Sequence, residues 1–88
     1  MSRPTKCRRV CRFPETLEFF TMGETLGEPV ILTVDEYETI RLIDKEGLSQ
    51  EECGTQIGVG RTTAQKIYET ARRKIADALV LGRSLKIE

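Results

Sequence analysis

The stretch SQEECGTQIGVGRTTAQKIYETARRK, residues 49–74, has the spacing of a helix-turn-helix, in which a short turn containing glycine joins two helices. Gly54 stands where the two helices would cross closely, and Gly58 stands where the turn needs a left-handed backbone. The positions that would pack between the helices are apolar: Cys53, Ile57, Val59, Ala64 and Ile67. The stretch therefore predicts a helix-turn-helix, although a helical hairpin with no role in DNA binding would share this spacing.

Capping signals on either side of the turn place the other helix ends. The capping box Thr33–Glu36 predicts the start of a first helix, and Gly47 is suited to end it. A second capping box, Ser49–Glu52, opens a helix that runs through Ile57. A third helix is predicted from near Arg61 to Val80, with Gly82 after it and one apolar face formed by Ala64, Ile67, Ala71, Ile75 and Leu79.

Short apolar runs outside the helices predict brief strands. Residues 17–20 and 30–32 are two such runs, and the final SLKIE, residues 84–88, alternates apolar and polar residues. We expect the last strand to pair with residues 30–32. The expected fold is mostly α, a three-helix domain with short strands near residues 17–32 and 84–88. Residues 1–12 form a basic N-terminal arm, and residues 13–88 form one domain whose helix-turn-helix core is 49–80.

The charges of this neutral chain are sorted along its length. Residues 1–12 carry five bases and no acid, a net charge of +5. Residues 13–47 carry nine acids against two bases (−7), and residues 48–88 carry seven bases against five acids (+2). DNA-binding proteins usually carry excess positive charge, yet the electrostatic attraction of DNA depends on the sign of the charge on each face of the protein. Neutrality therefore does not exclude DNA as the partner.

The composition gives little support for an enzyme or a metalloprotein. The chain has no histidine, the commonest general base and metal ligand. Its three cysteines, Cys7, Cys11 and Cys53, are an odd number without a second close pair, so we expect reduced thiols and no metal. A metal site shared across a dimer stays an alternative. No apolar run reaches the roughly 20 residues of a membrane span, which predicts a soluble, cytoplasmic protein without a membrane partner.

The polar side of the third helix carries the candidate DNA contacts. In a helix-turn-helix the first turns of the second helix enter the major groove, and arginine, lysine, glutamine and threonine match base edges there. We therefore predict base contacts by Arg61, Thr62, Gln65 and Lys66. Phosphate contacts are predicted for Thr63, Arg72 and Arg73, and for Arg3, Lys6, Arg8 and Arg9 of the arm. A solvated polar face and a solvated tail are the alternatives.

Three stretches carry a resemblance to a known family: RPTKCRRVCRFPE, LTVDEYETIRLIDKEGLSQEECGTQIGVGRTT and ARRKIADALVLGRSLKIE. Together they resemble, over nearly the whole chain, a small uncharacterised prokaryotic family of predicted DNA-binding proteins (domain of unknown function 134, uncharacterised protein family 0251). The second and third helices also resemble the promoter-reading domain of primary sigma factors, in GV-x-R at 58–61 and ARRKI at 71–75. This resemblance implies base contact by the same four residues and a role in transcription.

The chain departs from those patterns in three places. Gly60 stands where serine or threonine usually caps the recognition helix, and Thr62 stands where the sigma domain often has an acid. The preferred promoter element is therefore not carried over. Longer relatives carry a further C-terminal region that sometimes resembles a domain for iron–molybdenum cofactor precursors. Since this sequence reaches only Glu88, we expect no cofactor.

Two functions from different classes follow from these patterns. The first is sequence-specific binding of duplex DNA by a homodimer that regulates transcription, with RNA polymerase as a further candidate partner. Residues 79–81 and the strand-like segments are the candidate dimer contacts. The second is a protein-interaction module that binds a basic partner, such as a polymerase subunit, through the acidic residues 15–46. An enzyme is a distant third.

Overall fold

In a computed structural model of the protein, which describes residues 14–23 and 27–88, three helices pack against a small sheet. Strands β1 (Glu18–Phe19), β2 (Val30–Leu32) and β3 (Leu85–Ile87) lie in the order β1-β3-β2. Strand β3 runs antiparallel to β1 and parallel to β2, with Leu85 opposite Val30. The predicted fold class and the predicted pairing of the last strand are confirmed. The basic arm lies outside the described residues.

The first helix changes its winding midway. Helix α1 (Val34–Thr39) begins at the predicted capping box, where the Thr33 backbone N–H donates to Glu36 Oε1 at 2.9 Å. It continues as a π-helical segment, Ile40–Lys45, in which the Glu46 N–H donates to the Arg41 carbonyl five residues back, at 2.9 Å. The sequence predicted a continuous α-helix here, and the wider turn was not foreseen. A π turn takes more residues than an α turn, so it rotates the residues that follow onto a new face.

Because of that rotation, the first helix contributes side chains to two separate core clusters. Tyr37 and Ile40 lie before or at the change and pack against the cluster of Leu32, Ala71 and Ile87. Leu42 is buried in the second cluster, with Cys53 and Ile57 from the next helix, and Ile43 packs against it. The first helix thus joins the sheet side of the core to the helical side.

Helices α2 (Gln50–Ile57) and α3 (Arg61–Leu81) are joined by a turn in which Gly58 adopts the left-handed conformation, with φ of 81°. Cys53, Ile57 and Ala64 are fully buried, and Val59 and Ile67 are half-buried, which confirms the packing predicted for this stretch. Gly54 meets the turn closely, since a Cβ there would lie 2.7 Å from the Val59 carbonyl oxygen.

The apolar face predicted for α3 was wrong near the C-terminal end of the helix. Leu79 was expected on it, but its side chain is 79% exposed, and Ala78 is buried instead. The buried positions Ala64, Ala71 and Ala78 recur every seven residues, whereas Leu79 lies about 100° farther round the helix than Ala78. The helix also extends one residue beyond the predicted Val80 before Gly82 ends it with φ of 69°.

Gly54→Ala is expected to lower the free energy of unfolding by about 2 kcal/mol, because the added methyl group would force the backbone at Val59 to move. Urea denaturation followed by circular dichroism measures this change. The control is Gly60→Ser, because a Cβ at Gly60 meets nothing within 4 Å and the hydroxyl can cap α3. The control should gain roughly 0.3 kcal/mol. Equal stability of Gly54→Ala and the wild type would contradict the close contact.

Candidate nucleic-acid interface

The four residues predicted to contact bases all lie in the first two turns of α3, away from its buried stripe. Arg61, Thr62 and Lys66 are exposed, and Gln65 is half-buried. The helix begins at Gly60 without a side-chain cap and has no acid in its first turn, unlike α1 and α2. The first backbone N–H groups of α3 and its dipole are therefore offered to an anion without competition from a carboxylate.

Three cations of α3 make no ion pair with any residue that the structure describes. They are Arg61, Lys66 and Arg73, and all three are exposed. Thr62, Lys66 and Arg73 follow one another at intervals of four and seven residues, which places them along one outward line of the helix. Lys66 and Arg73 are about 10 Å apart along the axis. The structure thus brings predicted base contacts and one predicted phosphate contact onto a single surface.

Arg72, the other arginine predicted to contact phosphate, is held by neighbours. Its Nε lies 3.4 Å from Asp44 Oδ2, and its guanidinium lies 5.5 Å from the centre of the Tyr68 ring. The Tyr68 hydroxyl donates to Asp44 Oδ1 at 2.7 Å. Because the Arg72 side chain is 63% exposed, its outer N–H groups still face solvent. Arg72 is therefore held in place by an ion pair, whereas Arg73 has no ion pair with any described residue.

Lys74, which follows Arg72 and Arg73 in the sequence, forms an ion pair inside the fold. Its Nζ lies 2.8 Å from Glu36 Oε1, and the Glu36 side chain is only 11% exposed. The same carboxylate oxygen accepts from the Thr33 backbone N–H. This pair ties the start of α1 to the middle of α3, so it fixes the direction of the candidate recognition helix.

Two carboxylates of residues 33–46, Glu36 and Glu38, are buried in the fold, whereas Glu15, Glu18 and Glu28 of the acidic segment 15–46 are exposed. Glu38 is fully buried and accepts two hydrogen bonds from Arg41, at 3.0 and 2.8 Å. Arg41 also lies 3.8 Å from Glu46, and the hydrogen bond and charge of Glu38 raise the guanidinium pKa of Arg41. With Glu36 bound to Lys74 and Asp44 bound to Arg72, part of the negative charge of residues 33–46 is compensated by cations of α3.

Sequence reasoning missed two carboxylates that contact the candidate site. Glu69 accepts a hydrogen bond from Gln65 Nε2, with 3.1 Å between Nε2 and Oε2. The spacing of four residues was a usable signal for this pair. Asp44, in contrast, is 24 residues from Tyr68, and no local pattern indicates that contact.

The remaining predicted residues are either on the flank of the surface or outside the described chain. Thr63 is exposed, but it lies on the side of α3 away from Arg61 and Gln65. The arm residues Arg3, Lys6, Arg8 and Arg9, and also Cys7 and Cys11, lie outside the described residues.

Neither a metal site nor a membrane span emerges from the described residues. Within residues 14–23 and 27–88, no cluster of three or more histidine, cysteine or acidic side chains could hold a metal ion. Cys53 is fully buried, and burial, together with the charge of Glu38, raises the pKa of its thiol. No helix in these ranges is long and apolar enough to cross a bilayer.

Removal of the Asp44 carboxylate is expected to lower the pKa of Tyr68. The hydrogen bond to Asp44, burial and the charge of Asp44 raise this pKa above the usual value, while Arg72 opposes the shift. Asp44→Ala should move the pKa back toward about 10. Absorbance of the phenolate during an alkaline titration measures it, in a Tyr37→Phe background that leaves Tyr68 as the only tyrosine of the chain's two.

The sign of the accompanying stability change follows from the same shift. A raised pKa means that the folded state favours the protonated phenol. The contribution of this bond to stability is therefore complete below the unfolded pKa of about 10 and is lost as pH rises through the folded pKa. Glu46→Gln, which changes another exposed carboxylate near the same segment, should leave the Tyr68 pKa unchanged. An equal pKa in the Asp44→Ala variant and its parent would contradict the contact.

Comparison with known proteins places the chain in a family. The family model described as "Protein of unknown function DUF134" matches residues 1–88, and the chain belongs to this family, as its sequence resemblance predicted. A UPF0251 protein of Desulfitobacterium hafniense is 52% identical over 90 residues, which cover 100% of this chain and 72% of that protein. One of Caldicellulosiruptor saccharolyticus is 48% identical over 88 residues, which cover 100% of this chain and 63% of that protein. No solved structure matches the chain.

Proposed function

We propose that this member of the family binds duplex DNA through a sigma-like helix-turn-helix formed by α2 and α3, and regulates transcription. In this proposal the first turns of α3 enter the major groove, where Arg61, Thr62, Gln65 and Lys66 contact base edges. The observation that carries it is the separation of charge in the fold. Within residues 33–46, Glu36, Glu38, Asp44 and Glu46 pair with cations of the fold, while three cations of α3 face outward without a partner among the described residues.

Phosphate contacts flank the base contacts in this arrangement. Arg73 continues the outward line of Lys66, so it can reach a phosphate at the edge of the groove that Lys66 enters. Arg72 offers the outer N–H groups that Asp44 leaves unused, and Thr63 offers a hydroxyl near the bare start of α3. Arg3, Lys6, Arg8 and Arg9 of the N-terminal arm are proposed to add sequence-independent contacts.

The alternative, a module that binds a basic partner such as a polymerase subunit through residues 15–46, has less support. A basic partner would have to compete with Lys74 for Glu36 and with Arg72 for Asp44. It could not reach Glu38, which is fully buried beneath Arg41. RNA polymerase remains a candidate partner for the DNA-bound protein, in keeping with the sigma-like resemblance.

Binding to duplex DNA should depend on salt, and the loss of Arg73 should reduce that dependence. Each phosphate contact contributes about 0.9 to the slope of log affinity against log salt concentration. Arg73→Ala is therefore expected to reduce the slope by about 0.9 and to weaken binding equally for all sequences. Arg61→Ala and Lys66→Ala should weaken binding and also reduce discrimination between sequences, by about 1–3 kcal/mol each. Fluorescence anisotropy at several salt concentrations measures both quantities.

The matched control is Lys86→Ala, which removes a cation that lies on β3 and within 3.9 Å of Glu88. The control should keep the wild-type slope. Failure of the wild type to bind any duplex at low salt would overturn the proposal and favour the protein-interaction module. Binding that survives all three α3 substitutions unchanged would move the DNA contact to the basic arm.

A homodimer is part of the proposal, because one small helix-turn-helix gains affinity by binding paired half-sites. The end of α3 offers an apolar contact, since Leu79 and Val80 are 79% and 81% exposed. Val80→Glu should weaken self-association at least roughly tenfold in sedimentation equilibrium, because it would bury a charge. Thr70→Glu, which places the same charge at another exposed position of α3, is the control. A wild type that stays monomeric at high concentration would contradict the dimer.

A further inference from the structure

Gln65 and Glu69 form a pair on the exposed side of α3. Gln65 Nε2 donates to Glu69 Oε2 at 3.1 Å, one helical turn farther along. An ionised carboxylate can only accept hydrogen bonds, so the amide must turn its nitrogen toward Glu69 and its oxygen away. Within the described chain, nothing else bonds to the amide of Gln65. Gln65 is thus left with one free N–H and one free carbonyl oxygen.

This remaining pair of groups matches one base better than the others. In the major groove adenine presents an acceptor, N7, beside a donor, the N6 amino group, so it pairs with an amide that offers one N–H and one C=O. Guanine presents two acceptors, N7 and O6. An unrestrained glutamine can turn both N–H groups toward guanine, but Gln65 cannot do so while Glu69 holds one of them.

We infer that Glu69 is a positioning residue that makes Gln65 prefer adenine over guanine at the base pair it contacts. The inference rests on the proposed function and goes beyond it, since it assigns base preference to a carboxylate that contacts no base. One N–H of the Gln65 amide donates to Glu69. The other N–H can donate to adenine N7, and Oε1 can accept from the adenine N6 amino group. The protein therefore satisfies the whole amide only when adenine is present.

A second effect of Glu69 has to be separated from this one. A carboxylate on the DNA-facing helix repels phosphates, so its removal raises affinity for every duplex to a similar extent. Positioning instead changes the ratio of affinities for two duplexes that differ at one base pair. The two effects are distinguished by measuring that ratio together with the absolute affinity and its salt dependence.

The experiment begins with selection of binding sites from random duplexes by the full 88-residue chain. Comparison of the sites selected by wild type and by Gln65→Ala identifies the base pair that Gln65 reads. Anisotropy then gives the affinities for the selected duplex and for its adenine-to-guanine variant. In Glu69→Ala the preference for adenine over guanine is expected to fall at least roughly fivefold, a part of what a bidentate contact contributes.

Three further variants make the result specific. Glu69→Gln retains an amide oxygen that can accept from Gln65, so it should keep most of the preference. Asp77→Ala removes an exposed carboxylate from the same helix, about 12 Å farther along, and should leave the preference unchanged. In a Gln65→Ala background, Glu69→Ala should have no further effect on the preference, because the positioned group is gone.

Several outcomes overturn the inference while the proposed function stands. One is an unchanged adenine preference in Glu69→Ala, with affinity raised for all duplexes as in Asp77→Ala. Another is a loss of base preference that persists in the Gln65→Ala background, which would make Glu69 a direct base contact. Failure of the wild type to bind any duplex would instead overturn the proposed function and this inference with it.

Discussion

The fold depends on the close approach of α2 to the turn before α3. Gly54 has no side chain, and the carbonyl oxygen of Val59 occupies the space that a Cβ would need. This contact brings Cys53 and Ile57 against Leu42 of the first helix and sets the angle at which α3 leaves the turn. A larger residue at position 54 would push α3 outward and open the core on both sides of the turn. The direction of the candidate recognition helix therefore depends on this contact at Gly54 together with the Lys74–Glu36 ion pair.

Small residues continue this close packing along α3. Ala64, Ala71 and Ala78 form the buried stripe, so α2, the first helix and the sheet can all approach the α3 backbone. The stripe occupies one side of the helix and leaves the opposite side to solvent. The outward line of Lys66 and Arg73 is thus a consequence of where the alanines lie, because a straight helix fixes the angle between them.

Ion pairs then determine which charges reach the surface. Burial of a charge is costly unless it is paired and hydrogen-bonded, and Glu38 meets both conditions through its two bonds to Arg41. Glu36 and Lys74 use the same means between α1 and α3. Each such pair is neutral as a unit, but its burial removes an acid from the segment that carries most of the negative charge. A chain with no net charge can therefore present a positive helix.

The sequence predicted those parts of the structure that depend on local chemistry. The two capping boxes at Thr33 and Ser49 were found where expected, because each requires only residues three apart. The short strands and the helix-ending glycines were also predicted, because each depends on residues that are adjacent or nearly adjacent in the sequence. The π-helical segment was not, since its register reflects the demand of two separate core clusters on one helix. The exposure of Leu79 was not predicted either, because the buried stripe continues at Ala78 and leaves Leu79 about 100° farther round the helix.

The candidate site shows the same division between local and tertiary information. Its exposed residues could be read from the periodicity of α3, whereas their partners could not, apart from the nearby Glu69. Arg72, Arg73 and Lys74 look equivalent in sequence, yet each is rotated about 100° from the next. Arg72 therefore meets Asp44, Lys74 meets Glu36, and Arg73 faces solvent. The π turn places Asp44 within reach of α3, so the winding of the first helix decides how many cations of this run are free to bind an anion.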